Sequence, residues 1–420
     1  MTFIKRLTKS LPIICFTSLS ALAFAPKQLS AHEIVSLKEF PEWFQEAVER
    51  EKRIRKKTRV KIDALNVNKK VLGKATLIEE DEGYWFYNFD IGTGSPVECH
   101  VYTSFDGTAN SLHHLIEFGI QGVEALNEKK RSGTYPIYTD TGAFGNTPYL
   151  VLETMYNLGE GENRASGILK AISAQTGDSL QICMHNEMGY RDTFVRFFES
   201  FIEAFTENQS SDAFFESVYK LSINEMPIGF IKESYTKDAD GDVAIIESSS
   251  SIIPVDASNV ARSDGLTRSW GRPDGTLINA VEHSVENGAL GSRYELSVKD
   301  GKWHVSGEMQ GKAIDANLEH EGTLTSGYGN YLATAQLMQS DANTSEIDMW
   351  VSEADPLGII KVSLEKIKDN NEANLKFIMG PIMLDVLSDE NGKVSQGSMK
   401  HSSMEMKMDT LYSKGEPILP

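Results

Sequence analysis

The stretch SMKHSSMEMKMD, residues 398 to 409, carries the densest set of possible ligands in the chain. Met404, Met406 and Met408 alternate with Glu405, Lys407 and Asp409, so on a strand the three sulfurs share one face. Thioether sulfur is a soft donor, and with Met399 and the imidazole of His401 the set suits Cu(I). Methionine also fills irregular cores and adaptable apolar cavities, and Met349, Met379 and Met383 make the whole region methionine-rich. The favoured expectation is that Met399, Met404, Met406 and Met408 line a core or an apolar ligand cavity, with no cofactor. Copper held by these residues and His401 is the alternative.

Cys99 lies next to His100, and Cys183 lies two residues before His185, both in strand-like runs, VECHVYTSF and LQICMHNE. In an oxidising compartment an even pair of cysteines reads as one disulfide. Closing the loop of 84 residues between Cys99 and Cys183 would stabilise the fold by roughly 4 kcal/mol on a chain-entropy argument. With the thiols free, the alternatives are two buried cysteines or a zinc site shared with His100 and His185, although the spacing matches no compact zinc motif.

Asp238-Ala239-Asp240-Gly241-Asp242 has the acid density of a calcium loop but not its register. Gly falls at the fourth position, and Ser249 stands where a bidentate Glu belongs, so a tight hairpin turn is expected. The adjacent His113-His114 side chains diverge on a helix and cannot easily share a metal. There is no Gly-x-Ser-x-Gly elbow, Walker loop, dinucleotide fingerprint or His-Glu-x-x-His. These absences lower the expectation of an enzyme. A carboxylate-pair hydrolase leaves weak sequence marks, and one working between two domains is a further alternative.

The elements that must position these residues divide the chain. Helical stripes run over Leu37 to Lys57, Leu112 to Asn127 and Arg191 to Phe205, with strands between them. TDTGAFGNTPY, 139 to 149, reads as a glycine-rich loop. After about residue 228 the punctuation is hairpin-like: Asp240-Gly241, Asp274-Gly275, Asp300-Gly301 and Asn391-Gly392 separate alternating runs. In Arg293 to Lys299, Tyr294, Leu296 and Val298 face one side and the polar residues the other. A sheet with one apolar face must curl, take a helix or bind something. The fold class expected is α+β, an N-terminal α/β sandwich-like domain over 32–206, a linker over 207–227 and a C-terminal antiparallel β-meander or open barrel over 228–420.

Lys5, Arg6 and Lys9, then the apolar run Leu11 to Ala25, then Leu29-Ser30-Ala31 have the layout of a secretory signal peptide over 1–31. The run is shorter than a membrane-crossing helix. The expected location is the periplasm or outside the cell. Removal of the leader's four basic residues takes the net charge from -19 to -23 and removes Cys15. Such an acidic chain repels nucleic acid and anionic headgroups, so neither nucleic acid nor an embedding membrane is an expected partner. Arg50 to Lys61 is a basic exception, REKRIRKKTRVK, read as a solvated helix end.

The segment from about 84 to 205, with CHVYTSFDGTANSL, TPYLVLETMY and LQICMHNEMGYRDTFVRFFESFIEAF, resembles PsbP-like α/β domains in the order of its elements. The part from about 228 to 420 is similar in texture to LolA-like envelope proteins, whose antiparallel strands curl around a lipid-accommodating cavity. These resemblances imply an auxiliary or binding role. The function expected is an exported, soluble, non-catalytic envelope protein that binds a hydrophobic small molecule or an envelope protein.

Overall fold

The structure is a computed structural model and describes residues 34–36, 38, 40–206, 211–352, 355–368, 371–401 and 404–419. The expected leader over 1–31 lies outside them, and so does the start of the 207–227 linker. The described residues fall into two compact units, one within Pro26–Ser211 and Ile252–Val260, the other within Asp212–Ser251 and Ala261–Pro420. No described helix is long and apolar enough to cross a membrane.

The first unit opens with a short helix α1 (Glu42–Val48) and a hairpin of β1 (Lys57–Ile62) and β2 (Val67–Leu72). It continues through β3 (Lys74–Asp81), β4 (Tyr84–Asp90), β5 (Val97–Tyr102), α2 (Thr108–Asn127), β6 (Arg131–Phe144), β7 (Thr147–Leu158), β8 (Ala165–Thr176), β9 (Ser179–His185) and α3 (Arg191–Thr206). The last seven strands make one antiparallel sheet in the order β3-β4-β5-β9-β8-β7-β6. Its middle is covered on both faces. Ser173 on β8 donates to the carbonyl of Thr108 at the start of α2, whereas its neighbour Ile172 packs into the cluster built on α3. In α3, Phe194, Phe197, Phe198, Phe201, Ile202 and Phe205 recur at helical spacing and are all buried. Each such side chain contributes about 1.5–3 kcal/mol of apolar burial. Glu51 caps this helix, accepting from the backbone N–H groups of Asp192 (2.9 Å) and Thr193 (2.7 Å).

The second unit is one fourteen-stranded antiparallel sheet with a single described helix. A first run comprises β10 (Phe215–Ile223), β11 (Met226–Lys237), β12 (Val243–Pro254), β13 (Val260–Gly271), β14 (Leu277–Glu286), β15 (Ala289–Lys299), β16 (Lys302–Met309) and β17 (Lys312–Asn317). Helix α4 (Gly327–Gln339) follows. The second run comprises β18 (Thr344–Trp350), β19 (Ile359–Lys366), β20 (Leu375–Met379), β21 (Ile382–Ser388), β22 (Val394–His401) and β23 (Met404–Gly415). The runs join where β10 pairs with β23, the first strand with the last. The sheet then curls on itself. Trp350 of β18 meets Tyr294 of β15 edge to face at 6.3 Å. The chain between β17 and α4 bridges the two sides: Leu277 N–H donates to the Leu324 carbonyl (2.7 Å), and Thr325 N–H to the Asp348 carbonyl (2.8 Å).

Helix α4 occupies the inside of the curl. Tyr328 and Tyr331 pack with Phe215, Tyr235, Val243 and Ile245 of β10 to β12. Ser326 caps it, its Oγ accepting from Gly329 N–H at 3.1 Å. Gly329 is required there, because an added Cβ would overlap the carbonyl oxygen of Gly275 in the turn before β14.

These observations correct the expected fold class. The chain is mostly β, and each unit rests on a large antiparallel sheet, so it is not an α+β sandwich followed by one meander. The expected helix over Leu37 to Lys57 shrinks to Glu42–Val48. The basic run leaves the helix because Glu51 turns to cap α3 and because Val60 and Ile62 alternate inward as β1. Most of the 139–149 loop is strand, with the reversal confined to Gly145 (φ 61°) and Asn146. Phe215–Ile223, assigned to the linker, is the strand at which the two runs of the second sheet meet. Helix α4 was not expected, since a segment with two glycines and no apolar stripe carries little helical signal of its own.

Candidate functional site

In the second unit the curl and α4 enclose a cavity of about 170 Å³. Its lining combines apolar side chains, Leu277, Met349, Trp350, Phe377, Val386 and Met408, with Glu233, Glu247, Glu282, Asn330 and the phenols of Tyr219, Tyr235 and Tyr331. Among the described residues no Lys, Arg or His lines it.

Strand register brings two of the carboxylates together. Glu233 on β11 stands directly opposite Glu247 on β12, and cross-strand partners share a face. Glu233 Oε2 accepts from the hydroxyls of Tyr235 (3.1 Å) and Tyr331 (3.0 Å), and Tyr331 shares a further hydrogen bond with Tyr219 (3.2 Å). Burial, with the Glu247 carboxylate beside it, pushes the Glu233 carboxyl up to about 8 despite those donors. It is therefore mainly protonated at neutral pH and has an O–H to offer. Burial also raises the phenols of Tyr219, Tyr235 and Tyr331, which stay neutral donors.

Glu282 on β14 is 4% exposed and accepts from Ser352 Oγ, just past the end of β18. On α4, Asn330 Oδ1 is buried without a hydrogen-bond partner among the described residues. The cavity thus gathers several acceptors, of which Glu233 and Glu282 are oriented by hydroxyl donors. Among the described residues no group of three His, Cys, Asp or Glu side chains is placed to hold a metal ion.

The methionine strand divides. Met399, Met404, Met406 and Met408 are all buried, but of these only Met408 reaches the cavity. Met399 stands opposite Met406, and His401 opposite Met404, so these four share one face of the β22–β23 pair, with His401 exposed. Met408 lies across from Gly397 on one side and Leu221 on the other.

Cys99 and Cys183 are direct cross-strand partners on β5 and β9 and form a disulfide, with Cα atoms 4.1 Å apart. The free-thiol and zinc alternatives are thereby removed. His100 points to the opposite face from Cys99, where its Nδ1 meets the Tyr84 hydroxyl at 2.9 Å. His185 Nε2 lies 2.9 Å from Thr93 Oγ1. The acidic segment 238–242 is a hairpin turn, in which Asp238 Oδ1 accepts from Asp240 and Asp242 N–H.

The carboxylates of the cavity were missed in the sequence. A signal was present: Ile231, Glu233 and Tyr235 share one phase of β11, and Ala280, Glu282 and Ser284 one phase of β14, so each acid stands on the buried side of an alternating strand.

No family model matches the chain, and no curated protein matches it. Among solved structures it is similar to a β-barrel-like protein of domain of unknown function DUF1849 from Brucella abortus, with 10% identity and a TM-score of 0.38. That likeness covers 48% of this chain and 97% of the other.

Proposed function

We propose that the protein is an exported binding factor of the cell envelope and that its second unit takes a small amphipathic molecule with a protonated amine at one end. The leader-like start supports export. The observation that carries the binding reading is the cavity's composition: among the described residues, three glutamates and no basic side chain line it together with apolar side chains. A cationic head would neutralise Glu247 and Glu282 and satisfy Asn330 Oδ1, while Met408, Met349 and Trp350 take the apolar body. The ligand is thus more polar than the purely hydrophobic one expected from the methionines. Calorimetric titration of the full chain with cyclohexylamine and with cyclohexanecarboxylate tests this. The amine should bind, and Glu247→Gln should weaken it. Equal binding of the carboxylate, or binding of neither probe, overturns the reading.

A second reading rests on the strand register. Met399, Met404, Met406 and His401 on one face offer three soft sulfurs and an imidazole, a donor set that suits Cu(I). Titration with Cu(I) should then saturate near one ion per chain. Unchanged affinity in a Met404→Leu, Met406→Leu double variant removes this reading.

A further inference from the structure

The first unit holds a separate pocket of about 340 Å³ at the start of α3. Along its floor, Tyr138 on β6 stands opposite Glu153 on β7, which stands opposite Lys170 on β8. Phenol, carboxylate and amine therefore project from one face of the sheet, toward α3. Glu153 is 0% exposed and Lys170 is 1% exposed. Charged side chains are seldom buried to that degree in the middle of a sheet unless paired or used.

The pairing is incomplete. Arg191, the first residue of α3, donates through Nε to Glu153 Oε2 at 2.7 Å, and its guanidinium lies 4.1 Å from the centre of the Tyr138 ring. Glu153 Oε1 is buried with no hydrogen-bond partner among the described residues. An acceptor in that state is destabilising, and an incoming O–H would satisfy it. Lys170 Nζ donates to the Glu187 carbonyl. Burial, with Arg191 nearby, brings its amine down to about 8, although Glu153 and Glu187 act in the other direction. At neutral pH about a tenth is then the neutral amine, the nucleophilic form. Lys170, Arg191 and Arg196 on the lining are matched by Asp140, Glu153 and Asp192, so the pocket favours no net charge in a ligand.

We infer that Lys170 captures a small neutral hydroxyaldehyde as an imine, with the hydroxyl next to the carbonyl donating to Glu153 Oε1. The amine adds to the carbonyl carbon to give a carbinolamine. An amine proton passes to the carbinolamine hydroxyl, which departs as water, and the C=N bond forms. No oxidant or reductant takes part.

The full chain is incubated near neutral pH with glycolaldehyde and cyanoborohydride, which reduces the imine to a stable amine, and labelled sites are mapped by peptide mass spectrometry. The adduct should accumulate at Lys170 roughly tenfold faster than at exposed Lys74 and Lys130. Propanal, which lacks the hydroxyl, should label Lys170 several-fold more slowly and leave the rates at Lys74 and Lys130 comparable. Glu153→Gln, checked for folding by its melting transition, should bring the glycolaldehyde rate at Lys170 down toward the propanal rate measured in the same variant, a ratio that a change in the amine's protonation leaves unaltered. An adduct confined to exposed lysines, or formed no faster at Lys170, overturns the inference. Equal rates for propanal and glycolaldehyde at Lys170 overturn the part given to Glu153.

Discussion

Tyr331 on α4 donates its hydroxyl to Glu233 on β11 across 3.0 Å and so ties the inner helix to the sheet around it. The bond joins two otherwise costly facts, a carboxyl buried at 8% exposure and a phenol at 7%. Each is tolerable because the other is present.

The first prediction concerns pH. The Glu233 carboxyl ionises near 4.5 when unfolded and near 8 when folded. The folded state thus favours the protonated form, and the associated stability is full below about 4.5 and lost as pH rises toward 8. Melting temperatures should fall across that window, and Glu233→Gln should flatten the fall by keeping a neutral acceptor for Tyr331. An equally steep fall in the variant would place its cause elsewhere.

The second concerns the crosslink. Cys99 and Cys183 are 84 residues apart in sequence and are paired on β5 and β9. Replacing both by Ala should lower stability by about 2–5 kcal/mol in denaturant titrations, because the unfolded chain regains the freedom of that loop. Thiol titration of the denatured, unreduced wild-type protein should find neither Cys99 nor Cys183 free, with Cys15 the one reactive thiol where the leader is retained.

A third tests the seating of α4. Gly329→Ala places a methyl group against the Gly275 carbonyl, so helix or turn must shift. The expected loss is about 1–3 kcal/mol, against the usual gain from Ala in a helix. A variant as stable as wild type would show that the two segments are not in contact.

The closure of the curl gives a fourth. Ser352 Oγ donates to Glu282 Oε2, linking the end of β18 to β14. Ser352→Ala removes a donor from a buried carboxylate and should cost about 1–3 kcal/mol. Hydrogen exchange should quicken first at β18, since it is the edge strand held by that bond.

Much of the local structure was legible. The six aromatic and aliphatic positions of α3 recur at helical spacing, and Tyr294, Leu296, Trp303 and Val305 alternate as strands facing one core. The turns at Asp240-Gly241 and Asn391-Gly392 fall where glycine takes a positive φ, at 91° and 81°. What misled was the assumption that a helical stripe continues as far as its apolar residues. Ile54 lies beyond the last helical turn of α1 because Glu51 is used at the start of α3.

The sequence by itself determined which stretches alternate, where the chain reverses and that two cysteines in strand-like runs were available to pair. These depend on neighbours a few residues apart. Only the tertiary structure decided that β10 meets β23, that Glu233, Glu247 and Glu282 share a cavity, and that Glu153 faces Lys170. Those relations depend on strand register and on pairing between segments far apart in the chain. In a chain of 60 acidic residues no local pattern distinguishes the few carboxylates that the fold takes out of water.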